Sequence, residues 1–166
     1  MDARIARLFV LLGLSPGVLH SVLCAWRPLL SDDAEVVILA TDPDVAERAV
    51  ELASTCPCPG SAAPPAPGLR TRIVLLERGD VDSPEALEEL RGVLERERLG
   101  RGDGIDVTGG RKLASVAAAL YAASRLALVG YTWIPSDEYR RVSRATGRGC
   151  GEETVRVQPR LIAPLP

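Results

Sequence analysis

One pattern limits the folds open to this chain: short runs of apolar residues, each ending in small or turn-forming residues, each followed by an amphipathic helix pattern. Leu8–Gly13 is apolar throughout, which predicts a strand buried on both faces. Ser15-Pro16 then predicts a helix start, with Ser15 as N-cap and Pro16 at the first helical position. Val18, Leu19, Val22, Leu23 and Trp26 follow at helical spacing, and His20 falls on the opposite side of that stripe.

The unit recurs. Val36–Leu39, within Glu35–Ala40, predicts a second strand, and Thr41-Asp42-Pro43 opens a helix with Val45, Ala46, Ala49, Val50 and Ala53 inward. Cys56 to Gly68, rich in Pro, Gly, Ser and Ala, predicts a loop. Arg72–Glu77 predicts a third strand, and Ser83-Pro84 starts a helix with Leu87, Leu90, Val93 and Leu94 inward. Gly104–Val107 predicts a brief fourth strand, and Leu126–Gly130 a fifth that continues toward Ile134. Residues 153–158 alternate as an edge strand would, stopped by Pro159. Strands alternating with helices predict an α/β fold: a Rossmann-like, open, mainly parallel sheet with helices on both faces. The 166 residues suit a single domain, with a core over about residues 5–135 and an irregular C-terminal segment.

Between the fourth strand and the fourth helix lies Asp106-Val107-Thr108-Gly109-Gly110-Arg111-Lys112, which contains the only lysine of the chain. Small residues between a strand end and a helix start leave backbone N–H groups facing outward, which suits an anion. The spacing is not that of a P-loop, and no Gly-x-Gly-x-x-Gly follows the first strand. That counts against an ordinary mononucleotide-binding enzyme. A formal charge of −2 argues against a protein that coats long nucleic acid. An anion bound here should be small and held in a pocket. The helix that follows, with Leu113, Ala114, Val116–Leu120 and Ala122-Ala123, has almost no polar face. Such a helix is buried on all sides, and in a chain this size the second side predicts a homodimer.

Cys24, Cys56, Cys58 and Cys150 read as four free thiols of an intracellular protein. The single residue between Cys56 and Cys58 is not the usual zinc or redox spacing, and His20 is the only imidazole, so neither a metal nor a cofactor is expected. The apolar run Leu8–Leu14 is too short for a membrane span and no cleavage site follows it, so a cytoplasmic location is expected.

Leu12-Gly13-Leu14-Ser15-Pro16-Gly17-Val18 after the first strand, together with Asp106–Lys112, resembles the CRISPR-associated Rossmann-fold (CARF) domain, over about Leu8 to Trp133. The family often carries Thr where Arg111 stands. The resemblance implies a homodimer that binds a cyclic oligoadenylate, with cyclic tetraadenylate the expected ring. No Arg-x4–6-His element, Glu-x-Lys element or winged-helix-sized tail is present, so a stand-alone ring nuclease is the form implied. With no imidazole in place, the ribose 2′-OH would attack the adjacent phosphorus, without a metal, and give linear diadenylates ending in 2′,3′-cyclic phosphate. By resemblance Ser15 orients the ribose or phosphate and Lys112 stabilises charge. Gly109 and Gly110 admit the phosphates, and Arg111 clamps them. Thr41 and Asp42 contact adenine or ribose, while Gly13, Leu14, Pro16, Gly17 and Thr108 complete the lining. A non-catalytic sensor acting through a partner uses the same motifs.

Overall fold

The structure, a computed structural model, describes residues 4–78, 82–137, 150 and 160–162. Its strands are β1 (Ile5–Leu12), β2 (Leu30–Ala40), β3 (Arg70–Leu75), β4 (Asp103–Asp106), β5 (Leu128–Trp133) and β6 (Arg160–Ile162). Its helices are α1 (Gly17–Trp26), α2 (Pro43–Thr55), α3 (Pro84–Arg96) and α4 (Lys112–Ser124). The strand order is β3-β2-β1-β4-β5-β6, with β1 to β5 parallel and β6 antiparallel to β5. The expected α/β architecture is what the chain adopts. The edge strand expected at 153–158 lies outside the described residues.

Side-chain alternation along the strands builds two cores. Leu8, Val10 and Leu12 of β1 pack with Val18, Leu19, Val22 and Ala46 of α1 and α2. Phe9 and Leu11 point the other way, toward Leu90, Leu94, Ala118 and Ala122 of α3 and α4. Period-two alternation thus places α1 and α2 on one face and α3 and α4 on the other. The chain changes faces between β3 and β4, so β1 and β4 are adjacent strands whose helices leave in opposite directions. Below this point Arg7 Nε and a terminal nitrogen donate to the two carboxylate oxygens of Asp103, at 3.0 and 2.6 Å, tying β1 to β4.

Helices α2 and α3 begin as the sequence predicts. Asp42 Oδ1 accepts from the N–H groups of Asp44 and Val45, and Ser83 Oγ accepts from Ala86 N–H. Helix α1 does not. It starts at Gly17, with Pro16 rather than Ser15 at the cap position and no side-chain cap. Ser15 contributes its carbonyl, which accepts from Val18 N–H at 3.2 Å.

Other expectations are corrected by packing. His20 is 1% exposed, not on a solvent face, because the loop after α2 covers that side of α1. Strand β2 starts at Leu30, β3 at Arg70 and β4 at Asp103, each ahead of its expected start. Leu126 is not in β5; it sits at φ 61° in the turn after α4 and is 63% exposed. The cysteines are not free. Cys24 pairs with Cys58 and Cys56 with Cys150. Among the described residues, no helix is long and apolar enough to cross a membrane.

Candidate functional site: the β1–β4 switch point

In an open parallel sheet, ligands collect outside the carboxyl ends of strands where the connection direction reverses. Here that point lies above Leu12 of β1 and Asp106 of β4. The two motifs singled out in the sequence, Gly13–Gly17 and Thr108–Lys112, meet there. Their contact is backbone against backbone. A Cβ at Gly13 would lie 2.5 Å from the Gly109 carbonyl oxygen, and one at Gly109 would fall on the Leu11 carbonyl oxygen. A Cβ at Gly110 would lie 2.7 Å from Ser115 Oγ and 2.8 Å from Leu11 Cδ1. The glycines are needed because the two turns pack against each other, a reason the linear sequence does not show.

This close packing brings together the start of α1 and the start of α4. These are the two helices without a side-chain cap, whereas α2 and α3, farther out, are capped by Asp42 and Ser83. Neither first turn has a carboxylate or hydroxyl partner from a cap, although in α1 the Val18 and Leu19 N–H groups already donate to the Ser15 and Pro16 carbonyls at 3.2 and 3.3 Å. With the positive ends of both helix dipoles, the two helix starts make an electropositive rim at the switch point. Lys112 is the first residue of α4 and exposed, with no ion pair to the described residues. Arg111, at the cap position of α4, is exposed as well.

Beneath the rim sits a carboxylate, Asp106, whose role the sequence pattern alone does not show. Asp106 is fully buried. Trp26 Nε1 and Thr132 Oγ1 donate to its Oδ2 at 2.8 and 2.7 Å, and Thr108 N–H donates to its Oδ1 at 2.9 Å. Burial pushes its pKa up, while the donors Thr108, Thr132 and Trp26 pull it back down. Thr108 Oγ1 accepts from Thr132 N–H at 2.7 Å, so its hydroxyl ties the turn to β5. Ser115 Oγ donates to the Val107 carbonyl at 2.9 Å and holds the turn from the helix side. Asp106, Thr132 and Ser115 thus fix the turn from below. A carboxylate at the end of a buried strand, three residues before a Gly-Gly pair, is the sequence signal by which Asp106 can be found.

A cleft opens beside the turns on the α3–α4 face, lined by Gly13, Thr41, Leu76, Leu87, Gly109 and Arg111 among others. Its enclosed space is about 40 Å³. That holds a few waters but is far below the ~300 Å³ of a typical small-molecule pocket. Any larger ligand must lie across the outer rim. Thr41 lines this cleft, but Asp42 spends one carboxylate oxygen capping α2. Leu14 stands out from the surface at 62% exposure, while Pro16 and Gly17 are buried beneath it. Ser15 is half-buried, and among the described residues its hydroxyl has no hydrogen-bond partner.

Helix α4 leaves the rim with an apolar outer face. Only Ala118 and Ala122 are buried, while Leu113, Val116 and Leu120 are 45%, 55% and 69% exposed. The expected all-round burial is not met within one chain.

No family model matches the chain. Over 69 residues, 42% of its length, the chain is 41% identical to a CRISPR system ring nuclease of Saccharolobus solfataricus. The match spans 38% of that relative, so the chain corresponds to well under half of it. The chain is also similar to the solved structure of Can2 from Sulfobacillus thermosulfidooxidans in complex with cyclic tetra-adenylate. There the TM-score is 0.46 and the identity 15%, over 78% of this chain and 33% of that one.

Proposed function

We propose that the chain is a CARF-type ring nuclease that binds cyclic tetraadenylate and opens it. The observation that carries this reading is the pairing of two uncapped helix N-termini, α1 and α4, across the Gly13–Gly109 contact, with Lys112 at the edge. Such a rim fits two neighbouring phosphates better than one compact anion. The motif resemblance and the partial match to a named ring nuclease support the same family.

A cyclic tetranucleotide has two-fold symmetry to match a two-fold dimer. The small enclosed volume of one cleft and the exposed apolar face of α4 both favour a ring held between two copies. In the reaction, the ribose 2′-oxygen attacks its neighbouring phosphorus and the 5′-oxygen of the next nucleotide leaves. The 2′-OH proton passes to water, and the leaving oxygen gains one. Two such cuts give two linear diadenylates, each ending in a 2′,3′-cyclic phosphate. In this reading Ser15, whose hydroxyl is uncommitted, positions the 2′-OH or its phosphate. Lys112 and the backbone N–H groups at the start of α4 stabilise the charge that grows on the phosphoryl oxygens. Arg111 clamps the outer phosphate face, and Thr41 meets a base or ribose at the cleft.

The test is incubation of purified protein with cyclic tetraadenylate in EDTA, with products identified by mass spectrometry. Diadenylate 2′,3′-cyclic phosphate is the expected product, and Lys112→Ala and Ser15→Ala should each slow its formation by about 10²-fold or more. A ring that stays intact with stoichiometric protein but still binds would make the chain a sensor. Unchanged rates in both variants would move the site elsewhere.

A further inference from the structure

The chain's four cysteines and its one histidine gather around α1 and the loop after α2, with His20 one turn before Cys24 on α1. The ring chemistry proposed above uses none of them. The two disulfides differ in access. Cys150 is exposed, but its partner Cys56 is fully buried: the Cys56 sulfur is shielded from attack, and attack on Cys150 would release the Cys56 thiolate into a dry interior. Cys24 and Cys58 are half-buried, and both line an open groove with Pro28, Pro64 and Pro65. Among the described residues, Arg27 is the charged residue that lines that groove. Its guanidinium donates to the Ser31 carbonyl at 3.4 Å and lies 4.0 Å from the exposed Asp32 carboxylate, a solvent-screened pairing that leaves it a net cation beside the groove.

His20 adds the second half of the argument. Its Nε2 lies 2.9 Å from the Cys56 carbonyl oxygen and 3.7 Å from Cys24 Sγ. The carbonyl can only accept, so Nε2 carries the proton. That N–H is held by the Cys56 carbonyl, with Cys24 Sγ 3.7 Å from the same nitrogen, so a thiolate formed on Cys24 would share this proton.

We propose that Cys24–Cys58 is a thiol-exchange site for small anionic thiols, S-thiolated at Cys58 with Cys24 as the leaving group. An incoming thiolate forms a bond to Cys58 Sγ, the Cys24–Cys58 bond breaks, and its electron pair leaves on Cys24 as a thiolate facing His20 Nε2–H. A second thiolate then attacks the incoming thiol's sulfur and releases Cys58 as thiolate. Two thiols are oxidised to one disulfide, and the protein disulfide is reduced by the same two electrons. Arg27 attracts the incoming anion. Cys56–Cys150 stays closed.

The test uses the oxidised full chain at pH 7.5 with three thiols: 2-mercaptoethanesulfonate, 2-mercaptoethanol and cysteamine, anionic, neutral and cationic in turn. Aliquots are alkylated and mapped by mass spectrometry. The expected result is an adduct on Cys58 and alkylation on Cys24, at least tenfold faster than any labelling of Cys56 or Cys150. Per thiolate, the sulfonate should react about fivefold faster than the neutral thiol and lose that lead in high salt or in Arg27→Gln. Arg27→Gln removes the charge together with one long contact to the Ser31 carbonyl and touches neither disulfide, so both disulfides should still form. Joint opening of both disulfides, prior opening of Cys56–Cys150, adducts on Cys24, no reaction without denaturant, or equal rates for the three thiols would each overturn the proposal.

Discussion

Asp106 shows at the residue scale how a buried carboxylate can hold a turn in place. Three donors, from Trp26, Thr132 and Thr108, converge on its two oxygens. An amide in its place offers one acceptor oxygen and sets its NH2 group against at least one of those donors, the Thr108 N–H if its oxygen keeps Trp26 and Thr132. Asp106→Asn should therefore cost about 1–3 kcal/mol in urea unfolding and loosen the turn above it. His20 gives the pH dependence. Burial lowers its pKa below the ordinary 6.5, against the opposing hydrogen bonds of the Cys56 and Pro57 backbone. The unfolded chain thus binds a proton that the folded chain refuses. The stability linked to His20 is present above pH 6.5 and is lost as pH falls through the folded value, by up to ~1.4 kcal/mol per unit. Urea midpoints measured from pH 7.5 to 5.5 should fall for the native chain. His20→Gln, which keeps a donor for the Cys56 carbonyl, should flatten that slope.

At the scale of elements, the site is a contact between two turns. Each turn follows a central strand, and each opens a helix without a side-chain cap. Gly109→Ala would drive a methyl group into the Leu11 carbonyl. The turns must separate to relieve it, at ~1–3 kcal/mol. Circular dichroism melts should show a lowered midpoint. Ligand affinity should fall more than stability does, because the two helix starts would no longer lie side by side. The residue choice in this turn was legible in the sequence, since Gly-Gly before Arg111-Lys112 stands out. Its reason was not, because the partner that forbids a side chain, Leu11, is almost a hundred positions away in the chain.

For the whole molecule, the outer face of α4 is the open question of assembly. Leu113, Val116 and Leu120 lie on it, and in the proposed function a second copy covers it. Leu120→Glu should weaken self-association about 100-fold, read by sedimentation across micromolar concentrations, because a carboxylate would be buried in an apolar contact. A wild-type chain that stays monomeric at those concentrations, with and without ring, would remove the dimer from the reading. The disulfides act at this scale too. They tie α1 to the loop after α2, and the end of α2 to Cys150.

The sequence by itself determined the order of elements and the parallel sheet. Both follow from local periodicity and turn chemistry, which neighbouring residues encode. Tertiary structure decided the rest. The cover over His20, the pairing of the cysteines, the loss of the Ser15 cap and the role of Asp106 each depend on a partner distant in sequence. Burial and hydrogen-bond satisfaction are set by such partners, and no local pattern carries them. The turn at Thr108–Lys112 could be found from its residues; what holds it in place came only with the fold.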